Sequence, residues 1–176
     1  IAGFVITGLA PKKVLLRAAG PALAAAPFNL PGTLDDPALQ LFRGNTVLAQ
    51  NDNWGAPASG AAAISAAAAG VNAFPFRTGS ADAALLTTLA PGAYTVQVAG
   101  GSASIDGTGA ALVEIYEILQ VGEAPGARRL ANLSARGPGA PGVAAVVLQG
   151  RGGGVRPAAV VERGQRHPRE RQQVDA

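Results

Sequence analysis

Residues 83–119, AALLTTLAPGAYTVQVAGGSASIDGTGAALVEIYEIL, decide how this chain folds. Three apolar runs stand out: 83–89 (AALLTTL), 94–98 (YTVQV) and 110–119 (AALVEIYEIL). Pro91-Gly92 is a turn dipeptide between the first two, and residues 100–109 form a Gly-rich loop before the third. YTVQV alternates large and β-branched residues at a period of two, the signature of a strand with one buried face. The run 110–119 carries the strongest strand signal in the chain, followed by a linker over 121–128.

Outward from this core the same grammar repeats. Residues 3–8 (GFVITG) read as a strand closed by glycines, Ala10-Pro11-Lys12-Lys13 as a turn, and 14–18 (VLLRA) as a strand ending at Gly20-Pro21. Residues 22–36 read as a loop, and 39–48 as a hairpin turning at Arg43-Gly44-Asn45. Residues 51–60 form a turn-rich loop holding the only tryptophan. Residues 61–69 are the one expected helix, alanine-rich and closed by Gly70 as a C-cap. Residues 129–134 (RLANLS) begin something new. Short strands spaced by Gly/Pro turns predict an all-β fold, a β-sandwich or jelly roll with one short Ala-rich helix and a poorly structured C-terminal tail. The expected division is a sandwich module over residues 1–136. Residues 137–176 are then a Gly/Pro/Arg-rich linker or degenerate repeat remnant, largely disordered.

The composition agrees. A chain of 176 residues can bury a core, yet much of its 48% apolar content is alanine, with five Phe, two Tyr and one Trp. Alanine buries little area, so the core rests on a few Val, Leu, Ile and Phe positions. The pI near 10.0 invites a nucleic-acid reading, but the charge lies in the wrong place. Residues 1–150 balance eight Lys/Arg against eight Asp/Glu, and the net +3 comes wholly from residues 151–176. A neutral body with a basic tail lacks the clustered cations that phosphate recognition needs, so no nucleic-acid partner is expected. No cysteine is present, which removes disulfides and thiolate metal sites. No apolar run is long enough to span a bilayer, so membrane insertion is not expected. No signal peptide is recognisable, and the chain reads as a fragment of something longer.

Seven segments carry a family resemblance: IAGFVITG (1–8), KKVLLRAAGPAL (12–23), LDDPALQLF (34–42), NDNWG (51–55), DAALLTTLAPGAYTVQVAG (82–100), GTGAALVEIYE (107–117) and RLANLSARG (129–137). Together they resemble the tandem repeats of large secreted proteins from Verrucomicrobia-like and other environmental bacteria. The second half is similar to the β-sandwich called the bacterial pre-peptidase C-terminal domain. The resemblance covers residues 1–136, and its most specific part is residues 82–117. It implies a secreted, extracellular module whose partners are neighbouring repeats of the parent chain. In such repeats the NLS segment leads into the next unit's IAGFVI-like strand, so this chain is permuted relative to a natural repeat boundary. Residues 143–148 approximate the strand expected next, and 137–176 read as a degenerate or frame-shifted remnant.

Candidate chemistry is sparse. His167, the only histidine, lies in the tail between Arg166 and Pro168, where no packed acid can orient it for a triad. Glu114 and Glu117 stand three apart on a strand and point to opposite faces, so they cannot flank one glycosidic bond. Asp35-Asp36 read as turn residues before a strand. Gly152-Gly153-Gly154 lacks the Lys-Ser/Thr of a phosphate loop. Residues 51–55 (NDNWG) are the richest cluster: Asn51, Asp52 and Asn53 offer hard oxygens for calcium, with Asp82 and Asp106 as candidate further ligands. The simpler reading is an Asx-stabilised turn with Trp54 covering the sandwich edge. Trp54, Tyr94 and Tyr116 could form an aromatic carbohydrate platform, although both tyrosines sit in strands where core packing is the simpler reading. Three functions follow, in order: a non-catalytic adhesion or structural module; a small calcium-dependent hydrolase of esters, lactones or glycosides, with Asp52, Asp82 or Asp106 activating water; and a carbohydrate-binding domain using Trp54.

Overall fold

The computed structural model describes residues 1–56, 58–118, 130–135 and 145–149. The described chain is all-β with two short helices. Its elements are β1 (Ala2–Ile6), β2 (Lys12–Ala19), α1 (Pro21–Ala24), β3 (Pro37–Arg43), β4 (Thr46–Asn51), α2 (Ala58–Gly70), β5 (Ala83–Leu89), β6 (Gly92–Gly100), β7 (Leu112–Ile118), β8 (Leu130–Ala135) and β9 (Ala145–Gln149). Two sheets form, β4-β3-β6-β1-β8 and β5-β2-β7-β9. Every consecutive pair of strands except β3–β4 changes sheet, so the Gly/Pro-rich connections serve mainly as corners between layers. At the β5–β6 corner the Tyr94 hydroxyl donates to the Ala90 carbonyl at 2.7 Å, and its ring stacks on Phe4.

The alternation read in the sequence sets the core. Phe4, Ile6, Leu39, Leu41, Tyr94 and Val96 of the first sheet meet Val14, Leu16, Ala83, Leu89, Val113 and Ile115 of the second. The other face of the second sheet is covered by α2. Leu15, Ala84 and Tyr116 pack there against Ile64, Ala68 and Val71, joined by Trp54. The helix faces the sheet with Ala61, Ile64 and Ala68, an i, i+3, i+7 stripe in which two alanines flank Ile64.

Several expectations are corrected. Lys12 and Lys13 belong to β2 rather than to a turn, and Lys12 is buried with its ammonium paired to Glu117. Residues 22–36 are not wholly loop, because α1 begins at Pro21, whose missing N–H costs nothing at a helix start. The helix α2 includes Gly70, and the left-handed residue that ends it is Asn72, at φ 57°. The Ala73 N–H then returns to the Ala68 carbonyl, closing the terminus. β9 lies within the segment read as linker, yet pairs parallel with β7, from Leu112↔Ala145 to Tyr116↔Gln149. Its Val146-Val147-Leu148 run has the β-branched, apolar character an added edge strand requires. His167, Gly152–Gly154 and the remainder of the tail lie outside the described residues. No helix among the described residues is long and apolar enough to cross a membrane.

Candidate functional site

The hairpin β3–β4 turns through Gly44, whose φ of 57° suits glycine, and brings Gln40 opposite Gln50. Their amides bond across the strands at 3.2 Å. Where β4 ends, Asn51 and Asp52 continue this polar row, and together with Ala38, Leu39 and Ala56 these side chains line a cleft of about 450 Å³. Strand β4 is an edge strand with most of its side chains in solvent, so the cleft is open on that side.

Within the 51–55 loop the groups have separate duties. Asn51 Nδ2 donates to the carbonyls of Asn53 and Ala56, and its Oδ1 accepts the Ala84 N–H. Asn51 thus holds the turn by donating from its amide rather than through an Asx turn, and anchors it to β5. Asp82 is wholly buried. Its Oδ1 accepts the N–H groups of Gly20 and Ala22, at 2.9 and 3.1 Å, and its Oδ2 accepts the Ser80 hydroxyl at 2.7 Å. It thereby caps α1, whose own N-cap residue Gly20 has no side chain to do so. Asp106 is exposed and accepts the Thr108 N–H in a local Asx turn. Asp52 stands in the cleft and Asn53 is exposed. Of the five residues read as calcium ligands, Asn51, Asp82 and Asp106 each carry structural hydrogen bonds, and no group of three or more His, Cys, Asp or Glu able to hold a metal forms among the described residues.

The aromatic platform is corrected. Trp54 is only 6% exposed, with its indole N–H donating to the Arg77 carbonyl and to Ser80 Oγ. It packs edge-to-face against Phe76, beneath α2. Tyr94 and Tyr116 are buried in different clusters, one on each face of the second sheet. The sequence shows the helix over 61–69 but not that it folds over Trp54.

Beneath α2 lies a buried polar cluster that sequence reasoning did not find. Arg17 has a side chain 1% exposed, and its Nη1 lies 3.2 Å from Glu114 Oε2. Its Nη2 donates to the Phe74 carbonyl at 2.7 Å, and its guanidinium sits over the rings of Phe74 and Phe76, 4.6 and 3.9 Å from their centroids. The Tyr116 hydroxyl donates to Glu114 Oε1. Burial raises the Glu114 carboxyl above its ordinary value although Arg17 pulls the other way, and burial with the Glu114 contact raises Tyr116 further. Glu117, on the opposite face, meets Lys12, so the two glutamates serve different cations. Asp35 and Asp36 also do more than turn the chain. Asp35 accepts the Ser104 hydroxyl and the Ile105 N–H, and Asp36 accepts the Ala103 N–H. These bonds clamp the 100–109 loop, where a Cβ on Gly101 would come within 2.5 Å of Asp36 Oδ2.

The fold and its groups define a two-sheet β-sandwich with one helix-covered face. Comparison of the chain with protein-family models, with curated proteins and with solved structures gives no match.

Proposed function

We propose that this chain is a non-catalytic, extracellular binding or structural module of a secreted bacterial protein. It is set among neighbouring repeats and attaches to polysaccharide or to a hydroxyl-rich cell-surface ligand. The observation that carries the binding role is the open cleft at the end of β3–β4, where Gln40, Gln50, Asn51 and Asp52 stand together. The amides of Gln40 and Gln50 on the strands, with the Asp52 carboxylate just past the end of β4, are the donor and acceptor set that sugar hydroxyls require. The non-catalytic part is supported by the buried acids. Asp36, Asp82, Glu114 and Glu117 are each held by a protein donor, with Lys12 or Arg17 supplying the charge for the two glutamates. The resemblance of residues 1–136 to secreted bacterial repeats supports the setting.

The test is retention on insoluble polysaccharides such as cellulose, chitin and xylan. Retention of the intact chain is expected on at least one of them. Gln50→Ala and Asp52→Ala, both outside the core, should reduce it about tenfold, the loss of one or two sugar hydrogen bonds. Retention unchanged in both variants, or none on any support, would remove the cleft from consideration.

A further inference from the structure

A separate opening in the fold is lined by Trp54. Between α2 and the outer face of the second sheet is a cavity of about 240 Å³. Trp54, Ile64, Ala68 and Phe76 wall it, Arg17 lies among its lining, and exposed Ser65 and Pro75 stand at its rim. The volume follows from composition. α2 places alanines where a packed sandwich flank would carry Leu or Ile, and interiors otherwise leave few voids larger than a water molecule.

The polar side of the cavity narrows the choice of occupant. Arg17 is nearly fully buried, and its charge is already matched by Glu114. Yet Arg17 Nη1 and Glu114 Oε2, although 3.2 Å apart, form no aligned hydrogen bond with each other or with any other group. A second anion would repel Glu114 and compete for one guanidinium, whereas a neutral oxygen can accept from a guanidinium N–H without adding charge. The guanidinium is also held rigidly between Phe74 and Phe76, so it presents a fixed donor.

We propose that this cavity is a binding site for a small neutral molecule with an apolar body, an aromatic ring or short acyl chain, and a single carbonyl or hydroxyl oxygen directed toward Arg17. The site is separate from the β3–β4 cleft, and Ala68→Leu should leave polysaccharide retention unchanged, so the two readings fail independently.

Trp54 is the only tryptophan in the chain, so its indole N–H gives one resolved signal in a proton–nitrogen correlation spectrum. Titration of the intact chain with acetophenone is expected to shift that signal saturably, with half-saturation at roughly 1 mM or below, as befits so small a ligand. Benzoate, of the same size but charged, should bind at least about tenfold more weakly, given the buried Glu114. Ala68→Leu, which narrows the cavity, should weaken the shift, and Ser65→Phe, which closes its rim without touching the core, should abolish it. No saturable shift with acetophenone would overturn the proposal. So would benzoate binding as well as acetophenone, or a shift that survives in a folded Ser65→Phe variant.

Discussion

Replacing Asp82 by alanine is expected to destabilise the fold by about 2–4 kcal/mol, because it leaves the buried Gly20 N–H and the partly buried Ala22 N–H and Ser80 hydroxyl without their acceptor, each costing roughly 1–3 kcal/mol when buried and unpaired. Asp82 is wholly buried, and its carboxylate accepts Gly20 N–H, Ala22 N–H and Ser80 O–H. Ser80 Oγ also accepts from the Trp54 indole, and the Trp54 N–H bonds the Asp82 carbonyl. One carboxylate therefore fixes the start of α1, the 77–82 turn and the loop that seats Trp54. Asp82→Asn keeps one oxygen acceptor and should recover about half of the loss. Urea unfolding followed by Trp54 fluorescence checks both, since the tryptophan reports its own release. An Asp82→Ala change within 1 kcal/mol of the parent, on the scale set for unsatisfied buried groups, would contradict the capping role.

The second large effect concerns the pair beneath α2. Arg17→Met is expected to cost about 3–5 kcal/mol by leaving Glu114 uncompensated, and Glu114→Gln a comparable amount by leaving Arg17 so. The double variant Arg17→Met/Glu114→Gln removes both charges and keeps an acceptor for Tyr116. It should lie within about 1 kcal/mol of the parent, because buried pairs seldom outweigh their own desolvation. A thermodynamic cycle over the four proteins measures this coupling. The pH dependence carries a sign. Burial holds the Glu114 carboxyl above its ordinary value, so folding favours its protonated form. The corresponding stability is present at low pH and is lost as pH rises through the raised value. Without Arg17 the value rises further, so Arg17→Met should gain relative stability at pH 4 over pH 7. The double variant, lacking the carboxyl, is the control and should not show this gain. Additive single effects would contradict the pairing.

The strands were legible because burial acts on them locally. YTVQV alternates, and Tyr94 and Val96 point into the core while Thr95 and Gln97 are only half-buried. Likewise Glu114 and Glu117, three apart on one strand, emerge on opposite faces and find different cations. What stayed hidden depends on contacts remote in sequence. Lys12 beside Pro11 reads as a turn until Glu117, 105 residues on, is packed against it. The burial of Arg17 within VLLRA depends on Phe74 and Phe76, 57 and 59 residues on, which close over it. That Trp54 packs beneath α2, rather than serving a sugar platform, was also not visible. The loop 51–55 was legible as a turn, held by the Asn51 amide, but its anchor on Ala84 was not. Parallel pairing of β9 with β7 was equally hidden, because no pattern within residues 145–149 names a partner strand.

The most direct test of a non-catalytic module is turnover itself. The intact chain is incubated with a panel of chromogenic esters, lactones and glycosides, with added calcium and separately with chelator. The expected result is no turnover above buffer under either condition. Calcium-dependent turnover that chelator removes and Asp52→Ala abolishes would contradict it and make the cleft at β3–β4 an active site.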